Sequence, residues 1–388
     1  MDFSFSSEQQ QISDSVEKIC AGFDDDYWLK RDQSGEFPFD FYQQMADGGW
    51  LGIALPEAYG GAGLGVTEAA VMMHAVANSS GAMSAASSIH INIFGPHPIA
   101  VFGSEEQKQD WLPDLIAGNK RCCFGVTEPD AGLNTTAVTT RAVRCDDGYV
   151  VHGKKIWTST AMEADKIMLL TRTTPKSEGK RPTDGLSLFY TDLDRKYCDV
   201  RSIPKMGRAA VDSCEVFIDG LPVPESDRIG EEGQGFFYLL HSLNPERILV
   251  ASEAIGIGRN ALARASEYAR QRVVFDRPIG QNQAIQHPLA INWMELESAW
   301  LMTMQAASLY DQEQPCGIEA NAAKYLAGEA GFKACTQAIM THGGMGYAKE
   351  FHVERLLREV MITRLAPVSP QLILCNIAEK ALGLPKSY

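Results

Sequence analysis

Nine cysteines and eight histidines are the first residues to question, and neither set has the spacing of a metal site. No cysteines form a C-x-x-C pair and no histidines an H-E-x-x-H pair, so no metal is expected. The cysteines read as reduced structural residues. Charged chemistry concentrates elsewhere. Asn244-Pro245-Glu246-Arg247 sets a carboxylate beside a guanidinium, and Pro245 suits the first turn of a helix. The helix dipole alone would favour a glutamate there. Arg272 reads by itself as a solvated helix arginine, and Trp157 as a core tryptophan of a strand.

Hydrophobic period decides which elements carry these residues. The first 120 residues read as helix. Ser6 and Gln9 resemble a capping box. Ile12, Val16, Ile19 and Cys20 then follow at helical spacing. Loops break this region at Pro56–Gly61 and near Gly95-Pro96, and Ser104 opens a further helix ending near Gly118. From residue 121 the period shortens. Tyr149–His152 and Lys155–Trp157 flank a glycine, Gly153, that predicts a hairpin turn. Lys166–Thr171, Leu186–Thr191 and Val216–Ile218 are β-prone, with turns at Asp146-Asp147-Gly148 and Asp219-Gly220. From Gly233 helix returns: Ile248, Ala251, Ala254, Ile255 and Gly258 form one apolar face, and 292–311, 318–341 and 353–361 read as further helices. The expected architecture is an N-terminal all-α domain (1–120), an antiparallel β-domain (121–232) and a C-terminal helical bundle (233–388).

At 388 residues a large core forms without disulfide or metal staples. The formal net charge of −14 argues against nucleic-acid or membrane-surface binding, yet arginines and helix N-termini can still hold phosphates. No apolar run spans a membrane and Met1–Phe5 has no secretory pattern, so a cytoplasmic protein of bacterial type is expected.

Five segments, in order, resemble the acyl-CoA dehydrogenase family over essentially the whole chain. Phe124-Gly-Val-Thr-Glu-Pro-Asp-Ala-Gly132 resembles its T-E-P-x-A-G signature, and Gly153-Lys-Lys-Ile-Trp157-Thr-Ser159 its G-x-K-x-W-I-T strand. Arg272-Val-Val-Phe275 with Pro278-Ile279 and Gln283 is similar to R-x-x-F-G-x-P-I…Q, and Gly343-Gly-Met-Gly-Tyr347 to G-G-x-G-Y. Pro56-Glu57 with Gly60-Gly61, and the closing Leu382–Tyr388, also fit. The resemblance implies helices, then a β-domain, then a four-helix bundle, with FAD as cofactor. It also implies a homotetramer whose FAD sites are shared between subunits, and an electron-transfer flavoprotein as partner. It assigns Phe124, Val126, Thr127, Gly132, Trp157, Thr158 and Ser159 to the flavin ring and its edge. Arg272 would pair with the pyrophosphate. Phe275, Gln283, Gly343 and Gly344 would complete that half of the cofactor site. Leu133, Asn244 and Arg247 would lie on the acyl-CoA side, Leu133 without the family's serine hydroxyl.

Dehydrogenation of an acyl thioester needs a carboxylate at Cα in a dry site. Many members of the family place a glutamate nine residues after the arginine of L-x-R-D. Here the segment is Leu356-Leu-Arg358-Glu359, and nine residues on stands Pro367, which has neither a carboxylate nor an N–H. A minority, which includes isovaleryl-CoA and long-chain dehydrogenases, carries the base just before an arginine of the first bundle helix, and that position is Glu246. The implied activity is α,β-dehydrogenation to the trans-2-enoyl-CoA, of an acyl chain that is branched as in such relatives. The alternatives are a flavin oxidase or monooxygenase and a non-catalytic member of the family.

Overall fold

The computed structural model describes residues 4–387. Met1–Phe3 of the N-terminal reading and Tyr388 of the closing motif lie outside the described residues. The N-terminal helices are α1 (Ser7–Cys20), α2 (Asp25–Ser34), α3 (Phe39–Asp47), α4 (Val66–Ala77), α5 (Ala82–Phe94), α6 (His97–Phe102) and α7 (Glu105–Ile116). The Ser6–Gln9 capping box forms, with Ile12, Val16 and Cys20 buried. Ser104 caps α7 in the same way. The apolar helices α4 and α5 are buried almost all round and form the floor between this region and the last domain.

The strands are β1 (Cys122–Gly125), β2 (Arg141–Cys145), β3 (Gly148–Ser159), β4 (Lys166–Arg172), β5 (Leu186–Asp192), β6 (Cys198–Ser202), β7 (Ser213–Pro224) and β8 (Arg228–Ile229). Their order is β6-β7-β3-β2-β4-β5-β8, with β1 also on β4. Most pairs are antiparallel, but β1 and β2 both meet β4 in parallel. The turn expected at Gly153 is not there: β3 runs straight through it. A Cβ on Gly153 would lie 2.3 Å from Thr140 Oγ1, so this glycine serves a close strand approach rather than a reversal. The reversal comes earlier, at Asp146-Asp147, where Cys145 pairs with Gly148.

The last domain consists of α8 (Gly235–Gln271), a two-stranded hairpin β9 (Val273–Val274) and β10 (Arg277–Pro278), then α9 (Gln283–Asp311), α10 (Gly317–His342), α11 (Val353–Leu365) and α12 (Pro370–Lys380). The predicted face Ile248, Ala251, Ala254, Ile255 and Gly258 is wholly buried. Small residues let α8 and α10 approach closely: a Cβ on Gly258 would lie 3.0 Å from the Gly331 Cα. One expectation is corrected here. Helix α8 begins at Gly235, so Pro245 and Glu246 lie three turns inside it and the helix dipole is not what placed the glutamate. Among the described residues no single helix is long and apolar enough to cross a membrane, and no histidine, cysteine or carboxylate cluster could hold a metal.

Candidate active site

The loop after β1 is clamped by a buried ion pair. Glu128 accepts hydrogen bonds from Thr139 N (2.6 Å), Thr139 Oγ1 (2.8 Å), Thr140 N (2.9 Å) and Lys155 Nζ (2.9 Å). Lys155 also donates to the Val126 carbonyl at 3.1 Å, and Ile156 N to the Thr127 carbonyl at 2.9 Å. Burial works against the Glu128 charge, but Lys155 and the surrounding donors bring its pKa down to about 2. Burial lowers the Lys155 pKa to about 8, so the pair is ionised at neutral pH. The clamp fixes β1 and its loop, hence Phe124, Val126 and Thr127, against the strand that carries Trp157.

Trp157 itself is not a core residue. It is 57% exposed and held at φ +60°, a conformation a bulky residue rarely adopts. The next side chain, Thr158, is buried, and its Oγ1 has no partner among the described residues. Ser159 is half-buried, while Gly132 and Leu133 are exposed on the loop beyond Glu128. A flat indole presented outward, two residues along the strand from the hydroxyl of half-buried Ser159, fits a planar heteroaromatic ring with a polar edge.

Helix α5 links this region to α8, the helix that carries Glu246. Phe94 packs edge-to-face on Phe124 with centroids 5.4 Å apart, and His90 packs on Phe94 at 4.8 Å. His90 Nδ1 lies 2.6 Å from Glu253 Oε1, two turns along α8 from Glu246. Burial pushes the Glu246 pKa up to about 7; the positive charges of His90, Arg247 and Lys324 oppose the rise and Glu253 adds to it. Asn244 accepts from Arg247 Nη1 at 2.9 Å, and Arg247 Nε has no partner among the described residues. Pro367 lies between α11 and α12, where buried Lys324 donates to the neighbouring Val368 carbonyl at 2.7 Å. Lys324, His90, Glu253, Glu128 and Lys155 were not singled out from sequence as site residues. A lysine inside the alanine-rich run of α10 is the one weak signal that was available.

The remaining predicted residues are not brought together with these. Arg272 caps the C-terminus of α8, 26 residues beyond Glu246, which is roughly 39 Å along the helix. Phe275 and Asp276 form the two-residue tip of the β9–β10 hairpin, both at positive φ, and Phe275 is 93% exposed. Gln283 opens α9, exposed. Gly343 adopts φ +61°, and a Cβ on Gly343 or Gly344 would meet nothing within 4 Å in this chain. Any obstruction there would come only from another molecule.

Family models describe each region in turn: acyl-CoA dehydrogenase N-terminal domain (residues 6–119), middle domain (123–221) and C-terminal domain (233–381). The chain is 34% identical to acyl-CoA dehydrogenase fadE12 of Mycobacterium bovis, covering 99% of this chain and 98% of that protein. It is 33% identical to the caffeyl-CoA reductase–Etf complex subunit CarC of Acetobacterium woodii, covering 85% and 86%. Butyryl-CoA dehydrogenase of Megasphaera elsdenii superposes with a TM-score of 0.93 at 29% identity, covering 99% and 100%.

Proposed function

The chain belongs to the acyl-CoA dehydrogenase family, FAD-dependent oxidoreductases acting on CH–CH bonds, and we propose that Glu246 is the base with which it removes the α proton of an acyl-CoA. When bound, FAD supplies the acceptor for the hydride that leaves Cβ. The chain supplies everything else. Trp157 covers one face of the ring, the Ser159 hydroxyl meets its edge, and Thr158 contributes through its backbone. Phe124, Val126 and Thr127 line it, and Gly132 and Leu133 close the loop side. Asn244 and Arg247 hold the CoA side of the thioester. The observation that carries this reading is the placement of Glu246. It stands on α8 next to Arg247, and burial lifts its pKa to about 7, the range of an effective base, against the opposing charges of His90, Arg247 and Lys324. Pro367 offers no N–H to the thioester carbonyl, so polarisation of that carbonyl falls to other donors.

The distal set completes the cofactor site of a neighbouring copy. Glu246 and Arg272 are farther apart on one helix than an extended FAD, so Arg272, Phe275, Gln283, Gly343 and Gly344 serve a second subunit, in a homotetramer. Electrons leave to an electron-transfer flavoprotein, the kind of protein with which the CarC relative, by its name, forms a complex. The substrate carries a branch near the reacting carbons, where the absence of a carboxylate at 367 leaves room. All nine cysteines are free, which suits a reducing bacterial cytoplasm.

Anaerobic mixing with a panel of straight and branched acyl-CoAs tests the mechanism. Wild type should bleach its flavin, and Glu246→Gln should bind the same ligands but reduce at least about 100-fold more slowly. Wild-type reduction rates in that variant would remove Glu246 from the mechanism. A preference for straight chains would remove the branch.

A further inference from the structure

Glu246 and Arg208, a cation whose side-chain partners are two neutral hydroxyls, flank opposite ends of the contact between α5 and α8. On α8, Glu246 and Glu253 share a face, seven residues and about 10 Å apart. On α5, Phe94, His90 and Ser87 also share a face. Phe94 meets Phe124 at the ring end, His90 meets Glu253 midway, and Ser87 accepts a hydrogen bond from Arg208 Nη1 (3.2 Å) at the inner end.

Arg208 belongs to the loop between β6 and β7. Among the described residues its only other side-chain bond is a long one, Nη2 to Ser213 Oγ at 3.4 Å. A guanidinium has five N–H donors, and these two neutral hydroxyls use few of them. No carboxylate lies within ion-pair distance of Arg208 among the described residues. Those nearby are already engaged. Glu253 faces His90; Glu359 accepts from Ser84 N (3.1 Å) and Ser84 Oγ (2.6 Å) and pairs with Arg355 (3.5 Å); Asp212 accepts from Met162 N (3.2 Å) and Cys214 Sγ (2.7 Å). Burial lowers the Arg208 pKa even though all three carboxylates oppose that fall.

The backbone is strained to put it there. Arg208 sits at φ +56°, which an arginine adopts only when its surroundings force it. They do so from both sides. Lys205 Nζ donates to the Arg208 carbonyl at 2.7 Å, and Arg358 Nη1 to the Met206 carbonyl at 2.9 Å. Gly207 is pressed onto α11, where a Cβ would lie 2.8 Å from the Arg358 carbonyl. A half-buried guanidinium, rigidly held and bonded only to neutral groups among the described residues, has donors left to receive an anion.

We infer that Arg208, with Ser87 and His90 beside it, receives a carboxylate at the far end of the acyl chain, so that the substrate is an ω-carboxyacyl-CoA. This rests on the reading of Glu246 as the residue at the reacting carbon, since that fixes which end of the contact is inner. The chain lies between α5 and α8, its thioester end at Glu246 and its carboxylate forked on the guanidinium.

The test uses FAD-loaded enzyme and compares adipyl-, pimelyl- and suberyl-CoA, each with the straight acyl-CoA of the same carbon number. Dissociation constants come from perturbation of the flavin spectrum and reduction rates from anaerobic bleaching. Wild type should bind at least one ω-carboxyacyl-CoA more tightly than its neutral partner. Arg208→Gln should cut that preference roughly 100-fold, and Arg208→Lys much less, as expected for losing or keeping the charge of a desolvated pair. Equal binding of the two series by wild type, or an Arg208→Gln variant that weakens both alike, overturns the proposal. If the glutamine variant does not fold, the wild-type preference and the lysine variant decide. Glu246→Gln separates the two readings, because it should stop bleaching by both series while keeping the binding preference. Bleaching that survives in that variant sinks the base and leaves the Arg208 comparison to be judged on binding alone.

Discussion

At the scale of single residues, the site turns on how charge is managed around one carboxylate. With a pKa lifted from 4.5 to about 7, Glu246 is only partly ionised at neutral pH. kcat/KM for an acyl-CoA should therefore fall as pH drops through 7, with the acid limb missing from whatever activity Glu246→Gln retains. His90 is one of the charges holding that pKa down; its own pKa is raised because Glu253 outweighs the effect of burial. His90→Gln should move the acid limb upward by about one pH unit, read from the pH profile of flavin reduction. An unmoved limb would mean that His90 does not face the base. Stability gives the matching sign. A carboxylate whose pKa is raised by folding loses stability as pH climbs through its folded value, and below 4.5 no penalty remains. Glu246→Gln should then melt above wild type at pH 8, with the gap closing below pH 4.5. Glu246 can be proposed from the sequence because it stands next to Arg247 in a recognisable segment while Pro367 occupies the more usual position. His90, Lys324 and Arg208 cannot, since they come from α5, α10 and the β6–β7 loop and nothing local distinguishes them.

At the scale of elements, what was legible follows local chemistry, and what was missed follows contact between distant strands or turns. The capping boxes of α1 and α7, the Asp146-Asp147 turn and the small-residue face of α8 are written in neighbouring residues and formed as expected. The start of α8 was not, because Pro245 reads as a first-turn residue while tertiary packing continues the helix ten residues ahead of it. Gly153 reads as a turn until Thr140 is seen against it. In the sequence Glu128 is one letter of the T-E-P-x-A-G signature, and its work appears only when Lys155 arrives from β3. That pair predicts its own sensitivity. The Glu128 pKa is depressed by folding, so its contribution is full above 4.5 and is lost as pH falls towards 2. Glu128→Ala strands a buried ammonium and should cost about 3–5 kcal/mol in chemical denaturation. It should also release FAD more readily than wild type, because Phe124, Val126 and Thr127 lose their tie to the Trp157 strand. Unchanged stability and flavin content would show that the backbone bonds alone hold this loop.

At the scale of the whole molecule, the length of α8 decides how many chains make one active site. Glu246 lies three turns from its start and Arg272 at its end, so the two proposed halves of the cofactor site stand roughly 39 Å apart along one rod. The hairpin tip at Phe275, 93% exposed, and Tyr347 beside the glycine loop, 87% exposed, are large rings facing outward where a second copy would bury them. Under this arrangement each site takes its base from one subunit and its pyrophosphate arginine from another. Glu246→Gln and Arg272→Glu each disable every site of their own homo-oligomer, the first by removing the base and the second by repelling the phosphates. Co-expressing the two chains with different tags and isolating the mixed oligomer should restore about a quarter of wild-type activity. One site in four then pairs an intact Glu246 with an intact Arg272 from its neighbour. Sites built within single chains would give no recovery at any mixing ratio, because every chain in the mixture carries one lesion. Measuring bound flavin and bleaching on the same mixed sample separates this outcome from simple rescue of folding, which would restore the yellow colour without restoring reduction.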